Sequence, residues 1–439
     1  MADARSTVVK MLLKMESGGS YSNILLDSAL NESGLSERDK AFAAALFYGV
    51  TERKMTLDFI IVQYCTTELS SLKPEVRTIL RCGIYQIMYM KSVPDSAAVN
   101  ESVKLCKRMK QFGAAGLVNG LLRNFLRSDK RVDYSGLNSV ERLAMEYSAP
   151  KWIARKFLEE YGEENAKKAL KASVGAPPVY ARVNTVKVSD SELVDALRKE
   201  GVTAEINPRL AGCVRIEKTG GLEKLDAFRK GLFHIQDVSS QLCCHTLRPI
   251  VNETVLDICA APGGKSFTLA ELMGNGGRVI AMDLYEQRVG LIEKGAARLG
   301  LRIVEGRVNN ASRFNEELPM ADRVLCDVPC SGLGVIRRKP EIKYKDENEF
   351  EELPRLQKAI LDVSAGYVKV GGTLVYSTCT LSRAENDEVA QEFVESHPEF
   401  SPIVQPIPYA DAESSYKRAF FPEEDGGAGC FAASFRRII

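Results

Sequence analysis

Apolar residues recur at helical spacing through the first 130 residues of the chain. "STVVKMLLKM" carries them three and four positions apart, and Ser6 is the expected N-cap of that helix. "SERD" at 36–39 has the spacing of a capping pattern, and Pro74 stands where a first helical turn tolerates proline. No strand pattern intervenes, so an all-α domain is predicted over residues 1–132.

Residues 133–231 mix helical and strand patterns. "KWIARKFLEEYG" and "NAKKALKAS" have helical spacing, whereas "VYARVNT" alternates like a strand. "SDSELVDALRKEG" follows as a capped helix and "GCVRIEK" as a short strand. These patterns predict linker helices followed by a small α/β, RRM-like module.

From residue 232 onward, strand and helix patterns alternate regularly. The strand patterns are "TVLDIC", "RVIAMD", "RIVEG", "ADRVLCD" and "GTLVYST", with helical patterns between and after them. Such alternation predicts a C-terminal α/β domain over residues 232–439, Rossmann-like, with a mostly parallel, doubly wound sheet. Ligands of such sheets bind beyond the carboxyl ends of the strands, and the polar motifs of this region each follow a strand.

Composition and charge add limits to this multidomain picture. The 439 residues exceed what one core organises, and 45% hydrophobic with 27% charged residues is typical of a soluble globular protein. Charged residues near the N-terminus argue against a secretory signal, and no run approaches the roughly 18 apolar residues of a membrane span. We therefore expect a cytoplasmic monomer.

Basic residues are concentrated in two stretches although the net charge is only +1. Residues 104–131 contain eight basic side chains and one acid, and residues 336–345 contain five and one. Each stretch is either an ordinary solvated face or part of an RNA-binding surface.

The cysteines offer thiol chemistry rather than metal binding. The eleven cysteines form no CxxC pair and the three histidines are scattered, so no metal site is expected. Cys330 and Cys379, however, each follow a strand pattern and are flanked by small polar residues. They are therefore candidates for reactive thiols.

The stretch "LDICAAPGGKSFTLAELM" begins at a strand end and ends in Gly-Gly-Lys-Ser, which invites comparison with a phosphate loop. A P-loop needs glycine where this chain has Cys259, and Pro262 has no N–H to donate to phosphate. The second strand ends at Asp283, which is either a ribose ligand or a helix cap. A loop of small residues with an acid and no phosphate cradle favours S-adenosylmethionine as the ligand.

Three segments carry a family resemblance. "CAAPGGK" (259–265), "DVPCSGLGVIRRKPEIKY" (327–344) and "STCTLSRAEND" (377–387) resemble the signatures of the NOL1/NOP2/Sun family of RNA cytosine-5 methyltransferases. "DKAFAAALFYGVTERKMTLD", "LRCGIYQIMYM" and "GLVNGLLRNFLR" resemble the antitermination factor NusB. The resemblance spans nearly the whole chain and implies a class I methyltransferase domain joined to NusB-like, RNA-binding helices.

The resemblance also implies roles for four residues. Cys379 would be the nucleophile that adds to C6 of cytosine and so activates C5 toward the methyl sulfonium. Asp327 would hydrogen-bond or protonate N3, and Cys330 would assist elimination of the methylated base. Lys265 would lie nearby, where its charge lowers a thiol pKa.

The cofactor site implied by the resemblance is formed mainly by the loop after the first strand of this domain. It would comprise Cys259, Ala260, Ala261, Pro262, Gly263, Gly264, Lys265, Asp283, Asn310 and Asp327. Asn310 departs from the family, which usually has an Asp contacting the adenine amino group. The Asn side-chain carbonyl still accepts a hydrogen bond, so weaker binding is expected. Glu424 and Cys430 also depart, standing where relatives have His and an aromatic residue.

These features lead to a 16S rRNA cytosine-5 methyltransferase as the expected function. The target base has to be unstacked to expose C6, so a loop or a flipped nucleotide is implied. A tRNA methyltransferase of the same family is one alternative. A non-catalytic RNA-binding assembly factor is another, although retention of Cys330 and Cys379 argues against it.

Overall fold

The computed structural model describes residues 3–18, 29–30, 32–217, 221–404, 415–422 and 427–439, so Glu424 lies outside the described residues. The chain divides into two compact units. One comprises Met1–Gly175 and Ile336–Lys345, and the other comprises Ala176–Val335 and Asp346–Ile439. The first unit thus ends beyond the predicted limit at 132 and takes in a segment from the C-terminal part of the sequence. The domain limits at 132 and 231 stay predictions.

The first unit is helical, as its apolar spacing predicts. Its α-helices within the described ranges are Ala4–Gly18, Glu37–Tyr64, Pro74–Tyr89, Asp95–Arg108, Ala115–Arg127, Ser139–Glu146 and Lys151–Ala172. The apolar faces of the first five pack into one buried core. No helix of the described chain is both long and apolar enough to cross a membrane.

The helix starts show where cap predictions succeed and fail. Ser36 caps its helix and accepts a hydrogen bond from the Asp39 amide at 3.2 Å, as predicted. The prediction for Ser6 is wrong, because the helix already begins at Ala4. Asp3 provides the acceptor there, and its Oδ2 receives the Ser6 amide at 3.2 Å.

The segment Ile336–Lys345 packs within the helical unit and corrects the expectation of a basic surface at Lys343, although Lys339 and Lys345 are exposed. Lys343 is only 1% exposed, and its Nζ donates to the carbonyl of Tyr147 at 3.3 Å and to that of Glu52 at 3.5 Å. The hydroxyl of Tyr344 donates to the Thr51 carbonyl. Backbone carbonyls therefore draw this part of the basic stretch inward.

The second unit contains a small antiparallel sheet. Its strands are β1 (Val179–Val183), β2 (Thr203–Ile206), β3 (Cys213–Glu217) and β4 (Phe233–Ile235), in the order β2-β3-β1-β4. Ser189 and Glu192 form the capping box of the helix Asp190–Lys199, as predicted. The α/β module is thus confirmed, with strands β2 and β4 in addition to the two recognised from sequence.

The large sheet of this unit has a parallel centre and an antiparallel edge. Its strands are β5 (Thr254–Asp257), β6 (Arg278–Asp283), β7 (Val304–Val308), β8 (Ala321–Asp327), β9 (Val368–Thr378), β10 (Phe400–Pro402), β11 (Lys417–Phe420) and β12 (Cys430–Arg437). The order is β10-β12-β9-β8-β5-β6-β7, and β11 pairs with β12. Strands β5 to β9 pair in parallel, whereas β12 runs antiparallel to β9. The mostly parallel Rossmann-like domain is confirmed.

Helices cover the faces of this sheet, and the functional motifs lie at the carboxyl ends of its parallel strands. The helices include Val238–Leu247, Gly264–Leu272, Glu286–Leu299, Leu353–Ala365 and Asp387–Ser396. Because β5, β6, β8 and β9 are parallel, their carboxyl ends meet at the same edge. The small-residue loop, Asp283, the Asp-x-Pro-Cys motif and the Thr-Cys motif all follow these ends.

Candidate active site

The loop after β5 is a tight turn leading into a helix. The Ala260 amide donates to the Met282 carbonyl of β6 at 2.7 Å, and the Gly263 amide donates to the Ala260 carbonyl at 2.8 Å. Gly263 has φ +108°, and a Cβ there would lie 2.5 Å from the Phe267 ring. Glycine is therefore required at this position. The turn closes without the extended run of amides by which a P-loop holds phosphate.

Asp257 ends β5 beneath this loop and is fully buried. The Ser266 hydroxyl donates to its Oδ2 at 2.6 Å, while its Oδ1 has no hydrogen-bond partner among the described residues. Burial, opposed in part by that hydrogen bond and reinforced by the nearby Asp327 charge, raises the pKa of Asp257 to about 7. The carboxyl consequently changes charge near neutral pH.

Asp283, at the end of β6, is linked to the loop through an arginine. Its Oδ2 lies 3.2 Å from the Arg288 guanidinium, which also donates to the Ala261 carbonyl at 3.0 Å. The N-cap of the following helix is Tyr285, and its amide donates to Asp283 Oδ1 at 3.2 Å, so Asp283 also holds the backbone where this helix begins. Arg288 was not among the residues predicted from the sequence. A basic residue in the first turn after a strand-end acid is the signal that points to it.

Asn310 is exposed, and a backbone hydrogen bond of its neighbour connects it to Asp283. The amide of the preceding Asn309 donates to the Asp283 carbonyl at 3.0 Å. The Asn310 Oδ1 accepts from the amide and hydroxyl of Ser312 at 3.1 and 2.8 Å. To accept a hydrogen bond from an adenine amino group, Asn310 Oδ1 would have to do so in addition to its two bonds from Ser312.

Lys265 and Asp327 form an ion pair at the centre of the site. Lys265 Nζ donates to Asp327 Oδ2 at 2.7 Å, and the Ser377 hydroxyl donates to Oδ1 at 2.7 Å. Burial is the largest influence on the pKa of Lys265 and acts to lower it, but the charge and hydrogen bond of Asp327, together with Cys243 and Cys244, hold that pKa well above its usual range. Lys265 is therefore a fixed cation facing Asp327. A lowering of a thiol pKa by Lys265 stays a prediction.

The two candidate thiols meet at the ends of adjacent parallel strands. Cys330 Sγ and Cys379 Sγ are 3.0 Å apart, and the Cys379 amide donates to Cys330 Sγ at 3.3 Å. Both are half-buried and neither forms a disulfide. Hydrogen bonding to Cys379, then burial, raises the pKa of Cys330 well above its usual range. Either sulfur can be the donor of the contact between them, and the raised pKa of Cys330 indicates that this thiol keeps its proton.

The structure therefore brings most of the predicted residues close together, some through direct contacts and others only through neighbouring residues. Cys330, Cys379, Asp327 and Lys265 lie at adjoining strand ends. Ala260, Ala261 and Asp283 are joined by hydrogen bonds and Arg288, while Cys259 is half-buried and Pro262 exposed. Within the described ranges, no group of three or more His, Cys, Asp or Glu side chains is arranged to hold a metal ion. The arrangement suits nucleophilic chemistry by a thiol beside an acid–base pair.

Comparisons with family models match three consecutive parts of the chain. The model described as 16S rRNA methyltransferase RsmB/F matches residues 244–436. The NusB family model matches residues 2–127, and a ferredoxin-like domain model of RsmF/B-like methyltransferases matches residues 149–223. These matches agree with the helical unit, the small antiparallel sheet and the large parallel sheet.

Individual relatives extend over most of the chain. "Probable ribosomal RNA small subunit methyltransferase B" of Bacillus subtilis (strain 168) is 39% identical over 401 residues, 91% of this chain and 89% of the relative. Ribosomal RNA small subunit methyltransferase B of Photorhabdus laumondii is 31% identical over 424 residues, 95% of each chain. The crystal structure of PH0851 covers 99% of this chain and 98% of its own, with TM-score 0.80 at 24% identity, and shows the same fold. A methyltransferase homolog protein from Pyrococcus horikoshii has TM-score 0.60 at 27% identity, over 69% of this chain and 99% of its own.

Proposed function

Because the chain belongs to the 16S rRNA methyltransferase RsmB/F family, we propose that it methylates C5 of a specific cytosine in 16S rRNA. S-adenosylmethionine is the methyl donor of this family. The observation that carries the proposal is the contact between Cys330 and Cys379, 3.0 Å apart beside the Lys265–Asp327 pair. Residues 1–132 are proposed as the NusB-like RNA-binding domain, 133–231 as linker helices with the small module, and 232–439 as the methyltransferase domain.

The cofactor is proposed to bind where the loop after β5 faces Asp283. The small residues from Cys259 to Gly264 leave the backbone accessible to a ligand, and Asp283 supplies a carboxylate for two ribose hydroxyls. Arg288 now pairs with Asp283 and is half exposed, whereas Asp283 is buried, so ribose hydroxyls that displace Arg288 would have to replace its hydrogen bonding to this carboxylate. Asn310 is the proposed contact to the adenine amino group.

The proposed reaction begins with the thiolate of Cys379. Its sulfur bonds to C6 of the unstacked cytosine, and the ring electrons then attack the methyl group through C5. Cys330, as a thiol 3.0 Å away, can donate a hydrogen bond that stabilises the Cys379 thiolate. Transfer breaks the bond between the methyl carbon and the sulfonium sulfur. The C5 proton then passes to water and Cys379 leaves C6 as a thiolate, which restores the aromatic ring, and Cys330 is proposed to assist by donating a hydrogen bond to the departing sulfur.

Asp327 is proposed to act on the N3 side of the ring. Both of its oxygens already accept hydrogen bonds, from Lys265 and from Ser377. A proton destined for N3 must therefore enter this pair from Lys265 or from solvent. The ion pair keeps Asp327 oriented, so the base meets a preorganised group and not a free carboxylate.

RNA is proposed to bind along residues 104–131 of the helical unit, defined here as the basic surface. Arg123 and Arg127 are exposed on the helix Ala115–Arg127, and Phe112 beside this helix is 67% exposed. Phosphates would contact the guanidinium groups, and an unpaired base would stack on the ring. Arg108 is less available, since it pairs with Asp3 at 2.6 Å.

Transfer of tritiated methyl groups tests the proposal directly. The protein should label unmodified 16S rRNA at C5 of cytosine, Cys379→Ala should abolish labelling without unfolding, and Cys330→Ala should accumulate a protein–RNA adduct on denaturing gels. Labelling of tRNA but not rRNA would favour the tRNA alternative. Cofactor binding without any labelling would favour a non-catalytic RNA-binding protein.

A further inference from the structure

Glu385 is a buried carboxylate close to the two thiols, and the reaction proposed above does not use it. It follows the Thr-Cys motif and is only 3% exposed. Among the side chains that the structure describes, no Lys, Arg or His lies within ion-pair distance of it. A buried carboxyl without a counter-charge is costly unless hydrogen bonds replace its hydration. The groups that supply those bonds therefore indicate what Glu385 does.

The carboxylate holds the turn that carries Cys330. Its Oε2 accepts from the Ser331 amide at 2.8 Å and from Gln357 Nε2 at 2.9 Å, and its Oε1 accepts from the Ser331 hydroxyl at 2.6 Å. The same Gln357 nitrogen donates to the Pro329 carbonyl at 3.0 Å. Both residues that flank Cys330 are thus fixed by the pair of Glu385 and Gln357.

Glu385 is also joined to the turn that carries Cys379. Ser331 and Thr380 share a hydrogen bond between hydroxyls at 2.7 Å, and Thr380 lies directly after Cys379. The Glu385 carbonyl accepts from the Tyr376 hydroxyl of β9 at 2.5 Å. One residue therefore connects the end of β8 to the end of β9 at the position of the two sulfurs.

We propose that Glu385 is a positioning residue that fixes the Cys330 turn against the Cys379 turn, so that both thiols face one pyrimidine. The proposal rests on the proposed function only in taking these two thiols as the reacting groups. Charge supports the geometry. After the hydrogen bond to Cys379, burial and the charge on Cys379, the negative charge of Glu385 also contributes to the raised pKa of Cys330. Cys330 is thereby kept as a thiol while Cys379 acts.

Glu385→Gln tests the positioning role. Glutamine has the same size but replaces one acceptor oxygen with a donor, which faces the Ser331 amide or hydroxyl. Misplacement of the thiols should lower kcat by about 100-fold, leave the KM for S-adenosylmethionine unchanged and increase the trapped protein–RNA adduct. Glu388→Gln, the same change on an exposed residue of the next helix, is the matched control and should behave as wild type. Wild-type turnover by Glu385→Gln would overturn the proposal.

A second measurement needs no RNA and so separates this proposal from the proposed function. In a Cys379→Ala background, alkylation of Cys330 by iodoacetamide is followed against pH by mass spectrometry. Removing the Glu385 charge should move the alkylation midpoint to lower pH, whereas Glu388→Gln should not move it. An unchanged midpoint and rate would contradict the proposal even if methylation itself were absent.

Ser331→Ala provides a variant for the case in which Glu385→Gln fails to fold. It removes only the hydroxyl that donates to Oε1 and leaves the backbone bond to Oε2 in place. Loss of one hydrogen bond to a buried charge should lower turnover roughly ten-fold and increase the adduct. A folded Ser331→Ala protein with full turnover and no excess adduct would count against the role assigned to Glu385.

Discussion

Lys343 should make the stability of the helical unit depend on pH in an unusual direction. The side chain is buried, and its Nζ has two backbone carbonyls but no carboxylate partner within ion-pair distance among the described residues. Burial, only partly offset by the Glu52 charge, lowers the pKa of Lys343 from 10.5 to about 7. The lysine is thus half neutral in the folded protein at pH 7.

The sign and size of the effect follow from proton linkage. Between pH 7 and pH 10.5 the folded state holds fewer protons on Lys343 than the unfolded state does, so the free energy of unfolding rises with pH. The stability is fully present above the unfolded pKa and is lost as pH falls to the folded pKa. The complete difference is on the order of 5 kcal/mol, of which about 2 kcal/mol falls between pH 7 and pH 9.

Lys343→Met removes the titrating group while keeping a long, flexible apolar side chain in its place. The variant should be more stable than wild type at pH 7, and this advantage should shrink by about 2 kcal/mol at pH 9. Urea unfolding followed by fluorescence reports on the correct unit, because the single tryptophan of the chain, Trp152, lies in the helix Lys151–Ala172. Lys339→Met, on an exposed lysine of the same segment, is the control. An advantage that stays constant from pH 7 to pH 9 would refute the reasoning.

Four further changes test other parts of the molecule. Because the raised pKa of Asp257 makes the folded state bind more protons than the unfolded state between about pH 4 and pH 7, the free energy of unfolding should fall by about 1.4 kcal/mol per pH unit over that range. Asp257→Asn should remove this slope in calorimetric measurements. An equal slope in both proteins would contradict the prediction. Asn310→Asp should tighten S-adenosylmethionine binding about five-fold by calorimetric titration, since a carboxylate is the stronger acceptor, and unchanged affinity would argue against an adenine contact. Ser377→Ala should lower turnover roughly ten-fold with cofactor affinity unchanged, because Asp327 loses one orienting donor; a change confined to cofactor binding would count against it. RNA affinity should fall with salt, and neutralising one arginine of the basic surface should make the slope of log K against log salt less steep by about 0.7 to 0.9; a salt-independent affinity would exclude that surface.

The elements that the sequence predicts well are those with a strong local pattern. Strands β5 and β6, and β8 from Val324 onward, are mostly buried and appear as apolar runs ending in a polar residue. β2 was missed because its four residues are mostly exposed, and β4 because it has only three residues. Neither carries the alternation that marks a half-buried strand.

Side chains whose role depends on distant partners were beyond sequence reasoning. In the sequence, Lys343 is one of several basic residues that would be expected in solvent. Its burial is explained by the carbonyls of Glu52 and Tyr147, which accept hydrogen bonds from it. The role of Arg288 depends on its hydrogen bond to the Ala261 carbonyl, which is 27 residues away in the sequence. Glu385 and Gln357 meet only because β8 and β9 are neighbours in the sheet. Local patterns located the reacting motifs but could not identify the groups that hold them.

The two thiols are chemically identical, so different roles have to come from their surroundings. Cys330 contacts Cys379 Sγ and lies on a turn that the buried Glu385 holds through Ser331. The hydrogen bond to Cys379, burial and the charges of Cys379 and Glu385 raise the pKa of Cys330, and the Cys379 amide that donates to Cys330 Sγ opposes them only in part. A proton kept on Cys330 can stabilise a thiolate on Cys379 through the same contact. Exchanging the roles would require a thiolate beside the negative charge of Glu385, which has no Lys, Arg or His within ion-pair distance in the described part of the chain. The raised pKa of Cys330 therefore agrees with the proposal that Cys379 is the nucleophile.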